Sequence, residues 1–141
     1  MHAAKSLLTP VLALVSWTFV VWIWMYATRI PAIQKARIDP VAAREPAALD
    51  ALPLKVRQVA YNYNHLMEQP TIFYALVFYT YLTFWPDDLN LALAWAYVAT
   101  RVAHSLVQAT INVVMVRFAL HVLGTLALIA LAAHDVWKML G

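Results

Sequence analysis

The stretch NYNHLMEQPTIFYALVFYTYLTFW, Asn62 to Trp85, decides the fold class. It opens with amides, a histidine and a glutamate, then runs almost wholly apolar and aromatic beyond Pro70. About 20 apolar residues in a helix cross the roughly 30 Å hydrocarbon core of a bilayer. Three further segments meet that requirement, at about 7–27, about 89–111 and about 116–133. Of 141 residues, 64% are hydrophobic and 12% charged, against about 45–50% and about 25% in soluble domains. A soluble core of this size could not hide so much apolar surface. The expected architecture is all-α: one integral membrane four-helix bundle over 1–141, with the second helix (span about 62–85) starting as early as Leu54.

Composition also excludes whole classes of chemistry. With no cysteine there is no disulfide framework, no thiolate nucleophile and no cysteine metal site. Two glycines argue against an irregular or β-rich design. The formal charge of +3 comes without a dense basic run, so no nucleic-acid partner is expected.

The placement of the cations orients the bundle. Arg29, Lys35, Arg37, Arg44, Lys55 and Arg57 fall in the connection at about 29–57, whereas the turn WPDDLN holds no basic residue. The positive-inside rule then puts the long connection in the cytoplasm and both termini outside. Lys5 and Lys138 each stand alone against this bias. Trp22, Trp24 and Tyr26 fall at the inner interface and Trp85 at the outer. Pro31, Pro40, Pro46 and Pro53 punctuate the connection, so no single helix crosses it. The first span is too rich in tryptophan, and ends in residues too bulky, to be a cleavable leader. That and the all-helical design favour a bacterial inner membrane, with an organellar membrane as the alternative.

The polar residues are not scattered. On the third helix Tyr97, Arg101, His104, Ser105, Gln108 and Asn112 share one stripe about 100° wide. On a second helix continuous from Leu54, the residues Arg57, Tyr61, Asn64, His65, Glu68 and Thr71 share one face. Arg117 and His121 share a face of the fourth. By depth all of these fall in the cytoplasmic half, with Arg101 nearest the midplane; the outer half offers mainly Thr80, Thr83, Thr125 and aromatics. A charge at the membrane centre costs at least about 2.5–3.5 kcal/mol, so Glu68 and Arg101 are expected to pair across helices. Pro70 removes the amide that would bond the carbonyl of Leu66, freeing an acceptor beside Glu68. Asn62, Tyr63 and His65, taken singly, read as interfacial anchors. The whole cluster reads as a cytoplasm-facing pocket, or as polar glue for a bundle or oligomer. Ligation of a b-type haem by His65, His104 and His121 stays open too.

NYNHLMEQPTIFYAL, followed by AWAYVATRVAHSLVQATINVVMVRF, resembles the bacterial branch of the MAPEG family, the membrane-associated proteins in eicosanoid and glutathione metabolism. The resemblance rests on His65–Glu68–Pro70–Phe73–Tyr74 and on Arg101–His104–Asn112–Arg117. It implies a homotrimer with glutathione bound between subunits near the cytoplasmic face, and a glutathione transferase or peroxidase acting on lipophilic electrophiles. On that resemblance Arg117 or Arg101 would stabilise the thiolate. Arg57, Tyr61, Asn64, His65, Glu68, His104, Gln108, Asn112 and His121 would line the binding site. Only Glu68 matches the transferases' second-helix motif directly; His65 stands at the asparagine place and Tyr61 at the arginine place. The departures leave an alternative, a re-purposed relative without catalysis that binds a lipid or another small anionic ligand.

Overall fold

The computed structural model describes residues 2–83 and 86–141, with side chains from Leu7 onward. Among them every regular element is helical. In chain order these are α1 (His2–Ala36), a 3-10 turn (Ala42–Arg44), α2 (Pro46–Leu49), α3 (Leu54–Glu68), α4 (Pro70–Thr83), α5 (Asp88–Ala109) and α6 (Val114–Leu140). The end of the molecule that carries the α1–α3 connection is called here the loop end. The opposite end, at the α4–α5 connection, is the turn end. Trp85, expected at the outer interface, lies outside the described residues.

The helix α1 runs nine residues beyond the expected span, and Pro31 does not stop it. Proline deletes one ladder bond, but Ala32, Gln34, Lys35 and Ala36 are strong helix formers and carry the helix on. It ends instead at Arg37, whose φ of 53° is left-handed. The Ile38 amide there reaches back to the carbonyl of Ile33 and the Arg37 amide to Gln34, a Schellman closure made without glycine. The connection proper is therefore shorter than about 29–57.

The second predicted span is a bent pair, α3 and α4, joined at Gln69, whose backbone stays helical (φ −61°, ψ −34°). Pro70 has no amide for the carbonyl of Leu66, and the Thr71 hydroxyl caps the carbonyl of Glu68 at 2.7 Å. So the proline does open backbone beside the carboxylate. The turn end of α5 is fixed by a capping box: the Asp87 side chain accepts from the Asn90 amide, and the Asn90 side chain accepts from the Asp87 amide. The helix α6 passes the expected limit at Ala133 by seven residues because His134, Asp135 and Lys138 find partners inside the bundle.

Packing follows a seven-residue rhythm on α1: Leu7, Leu14 and Val21 are fully buried, the spacing of a helix seam. They meet Phe73 and Val77 of α4, Tyr97 and Val98 of α5, and Leu128 and Leu131 of α6. Phe73 stacks on Tyr97 with centroids 4.7 Å apart. Gly124 lets α6 approach α5, since a Cβ there would meet the Thr100 hydroxyl at 3.0 Å. The outer faces are apolar. Leu7–Ala36 and Val114–Leu140 are long and apolar enough to cross a membrane, yet only 22% and 17% of their most apolar windows are buried. Core helices of a soluble protein would be covered. These faces need lipid.

Candidate functional site

Two polar systems sit at opposite ends of the bundle. Toward the loop end Arg101 is buried, and its side chain ties α5 to the α3–α4 bend. Its Nε donates to the Tyr97 hydroxyl at 3.0 Å, and its terminal nitrogen donates to Gln69 Oε1. The Gln69 amide nitrogen in turn donates to Thr125 Oγ1 at 2.7 Å, and Thr125 to the carbonyl of His121 at 2.8 Å. The chain of bonds runs from α5 through the α3–α4 bend to α6.

This corrects the expected Glu68–Arg101 pair. One residue along a helix is a rotation of about 100°, and it is Gln69 that faces the core at the bend. Glu68 turns outward, with 67% of its side chain exposed, and lies 3.4 Å from His65 Nδ1. Gln69 went unread in the sequence, although an amide directly before an intrahelical proline, on a helix that must satisfy a buried arginine, was the available signal.

His65, Glu68, His104, Arg117 and His121 come together. With Val114 and Phe118 they line an open groove of about 310 Å³ between α3, α5 and α6. The three imidazoles form a row, with ring centroids 6.2 Å apart for His65 and His104 and 6.3 Å for His104 and His121. Among the described residues no cluster of three or more His, Asp and Glu has the arrangement to hold a metal ion. Arg117 is anchored at one side by Asn112, whose Oδ1 accepts from it at 2.6 Å. Asn112 itself closes the α5 end in a left-handed conformation, φ 51°, which asparagine tolerates better than most residues. The Nε of Arg117 is buried without a partner.

The other predicted residues lie elsewhere. Arg57, Tyr61 and Asn64 line a separate cleft of about 260 Å³ on the α1 side of α3. Arg57 donates to the carbonyl of Leu52 at 3.1 Å and lies 3.6 Å from Asp50, and the Tyr61 hydroxyl reaches Asp50 at 3.4 Å. Gln108 is buried between helices, its backbone carbonyl taken by Gln58. Asn62, read as an interfacial anchor, is fully buried and donates to Ser105 Oγ at 2.6 Å. The Trp17 indole donates to the same oxygen at 3.0 Å. Asn62 and Trp17 thus stitch α3 and α1 to α5.

The turn end holds a network the sequence reading missed. Asp135 on α6 is buried and accepts from Thr80 at 2.5 Å and from Asn90 at 3.0 Å. Lys138 donates to Asn90 at 3.0 Å and lies 2.6 Å from Asp87. His134 meets the same carboxylate at 2.8 Å. Burial pushes the Asp87 carboxyl up, but Lys138, the Asn90 amide and His134 outweigh it and hold it well below the usual carboxylate range. Lys138 is therefore half of an ion pair. The signal was its spacing: His134, Asp135 and Lys138 recur at helical intervals on one side of α6.

No curated protein matches the chain. The model of the MAPEG family matches residues 7–137, all but the extreme ends, and takes in the loop-end groove and the Thr80–Asn90–Asp135 contacts; this integral membrane protein belongs to the MAPEG family.

Proposed function

We propose that the protein binds glutathione in the groove of His65, Glu68, His104, Arg117 and His121, and presents its thiolate to lipophilic electrophiles as a transferase or peroxidase. The observation that carries this reading is Arg117. Its guanidinium is fixed by Asn112, yet its Nε–H is buried and unused beside three imidazoles and a carboxylate. A buried donor left without a partner costs about 1–3 kcal/mol, so it marks a place where a ligand acceptor belongs.

The groups present suit the ligand. Glutathione carries two carboxylates and one ammonium. Arg117 and the imidazoles offer donors to the former, and the exposed carboxylate of Glu68 offers an acceptor to the latter. A guanidinium beside the sulfur favours the thiolate, which is the nucleophile. In transfer, sulfur forms a bond to the electrophilic carbon while the leaving group departs with its electron pair. Arg101 takes a different part from the one the sequence suggested. Held by Gln69 and Tyr97, it positions the α3–α4 bend that sets His65 and Glu68 against the groove.

In this reading α1, α3–α4, α5 and α6 are the four spans, and the cation-rich loop end faces the cytoplasm of a bacterial inner membrane. Val114, Met115 and Phe118 are largely exposed beside the groove, and neighbouring subunits of a homotrimer would cover them. The test is thermal unfolding of the detergent-purified protein with millimolar glutathione, S-methylglutathione or glutamate. Stabilisation by the first two, absent in Arg117→Ala and Glu68→Ala, is expected. No shift with either tripeptide would sink the reading.

A further inference from the structure

The cleft on the α1 side of α3 is lined by three guanidinia from three different elements: Arg29 on α1, Arg44 on the 3-10 turn and Arg57 on α3. Facing them is one carboxylate, Asp50, already engaged by Arg57 and Tyr61. Neither Arg29 nor Arg44 has an ion-pair partner among the described residues. Three cations against one carboxylate in about 260 Å³ leave a surplus of positive charge that a further anion would offset. This excess of positive charge sits at the loop end, one to two turns beyond the exposed rings of Trp22 and Tyr26 on α1. Rings of that kind mark the headgroup level.

A second hollow, apolar and about 430 Å³, lies along the seam of α1 with α3 and α4, with Phe19 and Trp22 of α1 and Tyr63, Met67 and Tyr74 of α3 and α4 in its lining. On α3, Tyr63 and Met67 lie one turn nearer the membrane centre than Ala60 and Asn64 of the cationic cleft. On α1, Trp22 lies two turns from Arg29, about 10 Å. A cationic end at headgroup depth and an apolar end beneath it match an anionic amphiphile, charge for charge and face for face.

We infer that this α1–α3 seam binds an anionic phospholipid, its phosphate among Arg29, Arg44 and Arg57 and an acyl chain against Trp22, Phe19 and Met67. The site is separate from the glutathione groove, which lies on the α6 side of α3 and shares none of these residues. Basic pockets on the cytoplasmic side of membrane helices take such headgroups, each arginine near the surface strengthening binding about fivefold.

The experiment is native mass spectrometry and thermal unfolding of delipidated protein in neutral detergent, titrated with phosphatidylglycerol, with phosphatidylcholine of the same chains, and with inorganic phosphate. Expected are retained phosphatidylglycerol adducts and a raised unfolding temperature, with no such effect of phosphatidylcholine or phosphate. Arg44→Gln, on an exposed 3-10 turn where folding is not at stake, weakens phosphatidylglycerol binding about fivefold, and Arg29→Gln/Arg44→Gln about 30-fold. Equal binding of the two lipids, or a double variant that keeps its affinity, would overturn the proposal. A phosphate effect as large as that of the lipid would replace it with a soluble-anion site. Arg117→Ala keeps phosphatidylglycerol binding and Arg44→Gln keeps any glutathione shift, so the two sites stand or fall separately.

Discussion

The two ends of the bundle solve the same problem, polar side chains in an apolar solvent, in opposite ways. At the turn end both oxygens of Asp135 are taken, by Thr80 and Asn90, and Asp87 gathers Lys138, His134 and the Asn90 amide. Among the described residues, the buried side-chain atoms without a partner are Asn62 Oδ1, Gln108 Oε1 and Arg117 Nε, all toward the loop end. A satisfied network rigidifies; an unsatisfied one holds stability back for something else. The turn end therefore reads as a clamp and the loop end as a site. Four substitutions break or sharpen that contrast.

The largest effect belongs to the clamp. Asp135→Ala strips two bonds from buried partners on α4 and α5, and should cost about 3 kcal/mol in unfolding free energy. Reversible unfolding in mixed micelles measures it. A loss below about 1 kcal/mol would mean that the network is decoration and that the contrast between the ends is false.

Gln69→Leu comes next. It leaves the buried guanidinium of Arg101 with Tyr97 as its one hydrogen-bond partner among the described residues and should cost about 2 kcal/mol. Because Gln69 also holds Thr125 beside His121, this variant should weaken glutathione-dependent stabilisation as well, which Asp135→Ala should not. Equal behaviour of the two variants toward ligand would show that the bend does not shape the groove.

Asp87→Asn acts through pH. The folded carboxyl titrates below its unfolded value, held down by Lys138, the Asn90 amide and His134 against the opposing effect of burial. Its contribution is thus complete above the unfolded pKa of about 4 and drains away as pH falls below it. Thermal unfolding recorded from neutral pH downward should show an acid decline in the wild type that is shallower in Asp87→Asn. An unchanged slope would assign the decline to other carboxylates.

The sequence made the frame legible and the contrast only in part. Hydropathy located the apolar helices because lipid leaves no other solution, and Pro70 marked the bend because its missing amide has a local consequence. Side-chain direction at that bend was not legible. Glu68 and Gln69 differ by one step along the helix, and choosing which faces the core requires knowing where α5 and α6 pack. The expected single face from Arg57 to Glu68 divides for the same reason, with Arg57, Tyr61 and Asn64 on the α1 cleft and His65 and Glu68 on the α6 groove. Asp135 was passed over because hydropathy ends a span at the first cluster of polar residues, whereas partners on α4 and α5 let α6 continue.

The smallest effect on stability should come from the residue most important to the proposed chemistry. Arg117→Met removes one hydrogen bond to Asn112, and with it a buried Nε–H that has no partner. The methionine stem fills the apolar space beside Val114 and Phe118. The gain and the loss nearly cancel, so unfolding free energy should stay within about 0.5 kcal/mol of wild type. Stabilisation by glutathione should vanish. A side chain whose loss leaves the fold intact while ligand binding disappears is one kept for function. If Arg117→Met instead destabilises as much as Asp135→Ala, the loop end is a second clamp, and the groove between α3, α5 and α6 holds the bundle together without holding a ligand.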